Sequence, residues 1–230
     1  LETDHELLRR KYESERDKRL RNEGNAQYVS VEETFSEYAD DPYIKSKITR
    51  DPVVKEVEVV LIGGGHGGIL AAHSLRKQNI DDFCIIEKAG DFGGTWYWNR
   101  YPGAACDTEA YIYLPLLEEV GYVPTQKYAQ APEILQHSRN IAKKFDLYKD
   151  ACFQTEVTGM RWDESDQRWV IRTNHNDEMR ARFVVMSNGP LNKAKLPGIA
   201  GLYKIGKNNM TISFNGLGNE GRLGNQIFQY

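Results

Sequence analysis

Three short apolar runs stand out along the chain, each with the length and β-branching of a strand covered on both faces. They are Val57 to Ile62, Phe83 to Ile86 and Phe183 to Met186. Between the first two, Ile69, Leu70, Ala72 and Leu75 recur at helical spacing, which predicts a strand–helix–strand unit with parallel strands. Ala131 to Leu147 reads as a further helix, with Pro132 suited to its first turn and Ile134, Leu135, Ile141 and Phe145 on the apolar side. Three strand-like runs follow, Cys152 to Trp162, Trp169 to Thr173 and Met179 to Met186, separated by turns at Asp163–Gln167 and Asn174–Asp177. After this meander, the run from Phe183 to Pro190 reads as the returning parallel strand and its glycine turn. This order predicts an α/β fold: an FAD-type Rossmann domain with a parallel sheet and a small inserted β-meander.

The N-terminal stretch has a different pattern. Leu1 to Gly24 alternates in charge with only Leu7, Leu8, Tyr12 and Leu20 as apolar anchors, which predicts a solvated helix laced by i,i+4 ion pairs. A second helical or irregular stretch, Val31 to Tyr38, precedes turns at Asp41-Pro42 and Asp51-Pro52. Scaffolding is the simplest role for this leader.

Composition narrows the function classes. The chain has 230 residues with 40% hydrophobic content, enough for one good core. Its formal charge of −3 leaves no footprint for nucleic acid. No apolar stretch approaches the roughly 20 residues of a membrane span, and no signal peptide is legible. Cys84, Cys106 and Cys152 are scattered, odd in number and without metal spacing, which suits a reducing compartment such as the cytoplasm and names no metal site. Cys84 reads as a small core residue. Cys106, beside Asp107, could be a reactive thiol or an inert one.

The chemistry concentrates after the first strand. Gly63-Gly64-Gly65-His66-Gly67-Gly68 satisfies G-x-G-x-x-G, and Glu87 ends the second strand nineteen positions later. Gly63 permits the tight turn, Gly65 lets backbone approach a pyrophosphate, and Gly68 allows close helix–strand packing. The helix start offers unpaired N–H groups to phosphates, and Glu87 can accept from ribose hydroxyls. A ligand-free glycine turn is the alternative, made weaker by the strand, helix and acid at their expected places. His66 reads as a helix-start residue, since His73 on the following helix offers no metal spacing.

The next segment, GGTWYWNRYPGAACD from Gly93 to Asp107, pairs glycines with Trp96, Tyr97, Trp98 and Tyr101 ahead of a Pro102-Gly103 turn. On residues alone it suits a loop laid against a flat ring, or more simply a surface loop with an aromatic core anchor. The segment closely resembles the flavin-binding segment of Baeyer–Villiger monooxygenases, within the flavin-containing monooxygenases. The resemblance extends from about Asp4 to about Leu202, taking in Arg16-Asp17-Lys18-Arg19-Leu20-Arg21 and Thr49-Arg50-Asp51-Pro52. It implies FAD held by Gly63, Gly65, Gly67, Gly68 and Glu87, with Gly94, Thr95, Trp96, Asp107 and Tyr113 around the flavin and the Val157 backbone reaching the adenine. Asp107 would organise the meeting point of flavin and nicotinamide, the catalytic role. On sequence alone it could equally cap a helix starting near Thr108, and Tyr113 could equally be core. The activity implied is NADPH reduction of FAD, then oxygen insertion next to a small-molecule ketone by way of a flavin peroxide.

In that family a segment like Leu196-Pro197-Gly198 leads to F-x-G-x-x-x-H-x-x-x-W, a second G-x-G-x-x-G for NADPH and a catalytic arginine. Here the sequence reads differently after Leu202. Gly221 to Tyr230 is similar to the opening motif of α-1,2-fucosyltransferases, with Met210 to Phe214 as its strand and Arg222 and Asn225 as donor-site residues by analogy. Asn209-Met210-Thr211 is a glycosylation sequon. The organisation expected is a charged leader (1–54), an FAD-binding domain (55–202) and an unrelated tail (203–230), binding FAD without NADPH turnover. A non-catalytic FAD-binding fragment and a fucosyltransferase fragment with a flavoprotein leader are the alternatives.

Overall fold

The computed structural model describes residues 4–30, 40–197, 210–215 and 224–229. Helix α1 (His5–Asp17) starts where the Asp4 carboxylate accepts from the backbone N–H groups of Glu6 and Leu7. The Arg10–Glu6 ion pair, 2.6 Å apart, follows the i,i+4 pattern. None of its residues is buried, and Leu7 and Tyr12 stay two-thirds exposed. The expected apolar anchors of this helix therefore do not dock. Strand β1 (Tyr28–Ser30) follows. The stretch expected at 31–38 lies outside the described residues.

The part of the leader nearest the core is tied down by polar contacts. Asp41 accepts from the Tyr97 hydroxyl at 2.7 Å, the Gly90 N–H at 3.1 Å and the Tyr43 N–H at 2.9 Å. Arg50 grips Asp177 with two bonds of 2.5 and 2.6 Å, and Asp177 also accepts from Val53 N–H and the Thr173 hydroxyl. Bidentate geometry holds this segment at one angle to the sheet.

The sheet begins with β2 (Val54–Ile62), followed by α2 (His66–Lys77) and β3 (Phe83–Ile86). Short helices α3 (Thr95–Trp98), α4 (Ala110–Tyr113) and α5 (Leu117–Val120) come next, then α6 (Ala131–Lys144). Strands β4 (Ala151–Cys152), β5 (Val157–Asp163), β6 (Arg168–Thr173) and β7 (Glu178–Met186) complete a six-stranded sheet of order β4-β3-β2-β7-β6-β5. The first four strands in that order are parallel, and β7-β6-β5 pair antiparallel. The fold is the expected α/β class, with two refinements. The run expected from Cys152 to Trp162 divides, its first residues closing the parallel sheet beside β3 and the rest turning into the meander. The meander's last strand and the returning parallel strand are one strand, β7, which pairs with β6 on one edge and β2 on the other.

Period-two alternation along β2 supplies both faces of the core. Val59 and Leu61 pack with Ile69 and Ala72 of α2 and Ile141 and Ala142 of α6. Val60 and Ile62 pack with Cys84, Ile86, Ile171, Met179 and Ala181. Leu61 is fully enclosed, a site where truncation to Ala costs about 2–5 kcal/mol. A third cluster sets Trp96 and Tyr97 among Ala104, Leu114, Ile134 and Leu135.

Strand β8 (Ala194–Pro197) pairs antiparallel with β1 and with β9 (Met210–Asn215), which pairs with β10 (Gly224–Gln229). The strand expected at Met210–Phe214 is present, and it adds to a strand lying before the boundary expected at 202. Gly221 and Arg222 lie outside the described residues, whereas Asn225 stands in β10 opposite Phe214. Among the described residues no helix is long and apolar enough to cross a membrane.

Candidate functional site

The carboxyl ends of β2, β3 and β7 open onto a cleft of about 610 Å³. Its place is where ligands enter open α/β sheets, and its size falls in the small-molecule range.

Glycines shape the floor. Gly63 leaves β2 at φ +110°, and a Cβ there would overlap the Ser187 carbonyl. A Cβ on Gly68 would overlap the Gly63 carbonyl oxygen, so α2 starts this close to the strand only without a side chain. These are the turn and packing roles expected of them. Gly65 has a second reason to be small: a Cβ there would stand 3.3 Å from the Gly94 Cα. Gly65 is the N-cap of α2, no side chain caps that helix, and its first turn carries no acid. Gly63, Gly65, His66 and Gly67 line the cleft. The orphan N–H groups and positive dipole end of α2 are therefore left to the cleft, a ready anion site.

Glu87 closes the opposite side. Only 5% exposed, its carboxylate accepts from the Gly64 N–H and, at 2.6 Å, from the Ala89 N–H. Burial raises its pKa, and those two backbone bonds pull the other way. Beside it, Lys88 pairs with Glu156 at 3.0 Å. Val157 also lines the cleft, at a register shift in the β5–β6 pairing between Val157 and Gly159. That bulge brings Thr158, Gly159 and Met160 to the wall, none of which the motif reading identified. Gly159 inside a strand pattern was the available signal for a bulge.

The aromatic loop forms the far end. Gly94, Thr95, Trp96 and Tyr113 all line the cleft. The Trp96 indole N–H donates to the Tyr113 hydroxyl at 2.8 Å, with the rings edge to face at 5.9 Å. Trp96 serves as both core anchor and cleft wall. Burial raises the Tyr113 phenol pKa. His66 packs on Tyr113 at 5.4 Å and meets the Ser138 hydroxyl at 3.2 Å. Ser138 donates its own proton to the Ile134 carbonyl, so His66 Nε2 carries the hydrogen of that contact. Burial, aided by the nearby His137, lowers the His66 pKa to about 4. It is a neutral helix-start residue, as expected.

Two of the expected site residues stand apart from the lining. Gly68 acts from beneath, through packing. Asp107 is exposed and outside the cleft wall; α4 has Glu109, not Asp107, in its N-cap position. Cys106 is buried and its sulfur accepts from the Thr108 N–H at 3.4 Å. Among the described residues no cluster of His, Cys, Asp and Glu is arranged to hold a metal ion.

A family model described as an NAD(P)-binding Rossmann-like domain matches residues 61–120, from the end of β2 through α2, β3 and the aromatic loop to the end of α5. The chain carries a Rossmann-like domain. It is 46% identical over 198 residues to a Baeyer–Villiger monooxygenase of Streptomyces coelicolor, covering 86% of this chain and 33% of that protein. The solved polycyclic ketone monooxygenase of the thermophilic fungus Thermothelomyces thermophila superposes with a TM-score of 0.75 at 34% identity, over 84% of this chain and 34% of that one. The OTEMO complex with FAD and NADP superposes with a TM-score of 0.59 at 32% identity, over 66% of this chain and 28% of that one. The chain spans about a third of the length of the curated relatives it matches.

Proposed function

We propose that this chain is the FAD-binding portion of a flavin-dependent, NADPH-using monooxygenase of Baeyer–Villiger type. One observation carries the reading: the uncapped glycine start of α2, the buried Glu87 carboxylate and the Trp96–Tyr113 pair all face one cleft. The names of the similar proteins support it. The whole protein would insert an oxygen atom beside the carbonyl of a small ketone, giving an ester or lactone. Three free cysteines accord with a cytoplasmic setting.

FAD, when bound, supplies the oxygen-activating chemistry. The residues present fit it. Gly63, Gly65 and Gly67 hold a pyrophosphate against the α2 N–H groups. Glu87 accepts from ribose hydroxyls, and its negative charge disfavours the 2′-phosphate of NADP in the same place. The Val157 backbone, at its bulge, takes the adenine. Gly94, Thr95, Trp96 and Tyr113 orient the flavin ring and exclude water from one side. Asp107 is assigned to the nicotinamide meeting point by the resemblance alone.

The test is a titration of the purified chain with FAD, read by flavin fluorescence. Saturable binding is expected, weakened at least tenfold in Glu87→Ala. Failure to retain flavin, or a preference for NAD over FAD, overturns the reading.

A further inference from the structure

Cys84 and Cys152 lie 68 residues apart in sequence, yet their Sγ atoms are 3.8 Å apart. The fold brings them together in a simple way. Strands β3 and β4 run parallel with Ile86 beside Cys152, and alternation puts Cys84 on the same face as Ile86. Both sulfurs sit against the apolar patch formed with Val60, Ile62 and Met179. Cys84 is 2% exposed, whereas Cys152 is only partly buried.

The two thiols are also unequal in acidity. The two sulfurs share a contact in which either can be the donor; that contact and the positive charge of Arg50 lower Cys152 to about 7 against the opposing pull of burial. The same contact, with burial, pushes the Cys84 thiol up. Arg50 is held in place by its bidentate pairing with Asp177. A partly exposed thiolate backed by a protonated buried thiol is the arrangement of an attacking sulfur and its resolving partner.

We propose that Cys84 and Cys152 form a reversible dithiol–disulfide site, oxidised by a small hydroperoxide such as hydrogen peroxide. The Cys152 thiolate attacks one peroxide oxygen; the O–O bond breaks, hydroxide leaves, and Cys152 becomes a sulfenic acid. The Cys84 sulfur then attacks the Cys152 sulfur, the S–O bond breaks, and the Cys84 proton departs with the hydroxyl as water. In total two thiols lose two electrons and two protons, and one peroxide is reduced to two waters. Closing from 3.8 Å to a bond of about 2.05 Å requires movement, and β4 is a two-residue strand at the sheet edge. The site stands directly behind the cleft, because the Cys152 carbonyl accepts from the Glu87 N–H at 2.9 Å. Nothing in this assignment depends on which dinucleotide the cleft takes.

The experiment treats the reduced, folded chain with equimolar hydrogen peroxide and reads intact mass, thiol count and disulfide peptides. Expected are the loss of two hydrogens, an internal link between the Cys84 and Cys152 peptides, a retained Cys106 thiol and full reversal by dithiothreitol. Cys106→Ser should behave like the parent. Cys84→Ser should stop at a sulfenic acid on Cys152 that dimedone traps. First oxidation at Cys106, a link between two chains, or no internal link in a chain whose circular dichroism is native would each overturn the proposal.

Discussion

Gly94 and Gly65 meet backbone to backbone: a Cβ on Gly94 would stand 2.6 Å from the Gly65 Cα, with Gly94 held at φ +54°. The contact joins two loops that neighbouring strand ends send over the cleft floor, so it sets the depth of the site. Gly94→Ala suffers both the left-handed backbone and this clash. Gly103, at φ +79° with nothing within 4 Å of its Cβ position, separates the two effects. Gly103→Ala is expected to lose about 1–2 kcal/mol in urea unfolding, and Gly94→Ala clearly more. Equal losses would show that the loops part without cost.

Asp177 is expected to govern acid stability. Its side chain is fully enclosed, and the Arg50 guanidinium, with bonds from the Thr173 hydroxyl and Val53 N–H, holds its carboxyl well below the usual carboxylate range. A pKa depressed by folding stabilises the native state fully above the unfolded value, about 3.9, and that contribution is lost as pH falls below it. Asp177→Asn should destabilise the protein at pH 7 by about 3–5 kcal/mol, since it leaves Arg50 without its charge partner. Its stability should also fall less steeply than the parent's below about pH 4. Urea midpoints at a series of acidic pH values check both.

Much of this architecture was legible in sequence, for reasons that particular residues display. The glycines and Glu87 were readable because each answers a backbone requirement fixed within one strand–turn–helix unit, where spacing alone sets geometry. Strand β3 was readable to the residue, being four apolar positions between polar flanks. What escaped depends on distant pairings. Cys84 and Cys152 look scattered until β4 is laid beside β3. The run from Cys152 onward reads as one strand, because nothing local marks where it leaves β3 and turns toward β6. Asp107 was named through a resemblance, and no local rule placed it on or off the cleft wall.

His66 should be silent across neutral pH. Its folded pKa of about 4 lies below the ordinary value of 6.5, so the unfolded chain binds the extra proton between those values. Stability therefore rises with pH through that window and the contribution is complete above it. His66→Phe keeps a ring against Tyr113 and removes the titration. The gain in unfolding free energy from pH 4.5 to pH 7 (about the two ends of the window) should be smaller in the variant. An unchanged gain would mean that His66 protonates as freely folded as unfolded.

Tyr113→Phe isolates the polar half of the aromatic wall. The buried Trp96 N–H has the Tyr113 hydroxyl as its partner at 2.8 Å, and removing that oxygen leaves the indole hydrogen with no acceptor while the edge-to-face packing survives. An unsatisfied buried donor costs about 1–3 kcal/mol. The variant is expected to lose that much in urea unfolding, and the Trp96 indole N–H should exchange faster with solvent deuterium. Loss of stability without faster exchange would assign the cost to packing instead of the hydrogen bond. Trp96→Phe in the same background supplies the cycle: once the donor is gone, deleting the hydroxyl should cost far less, because only contact area remains to be lost.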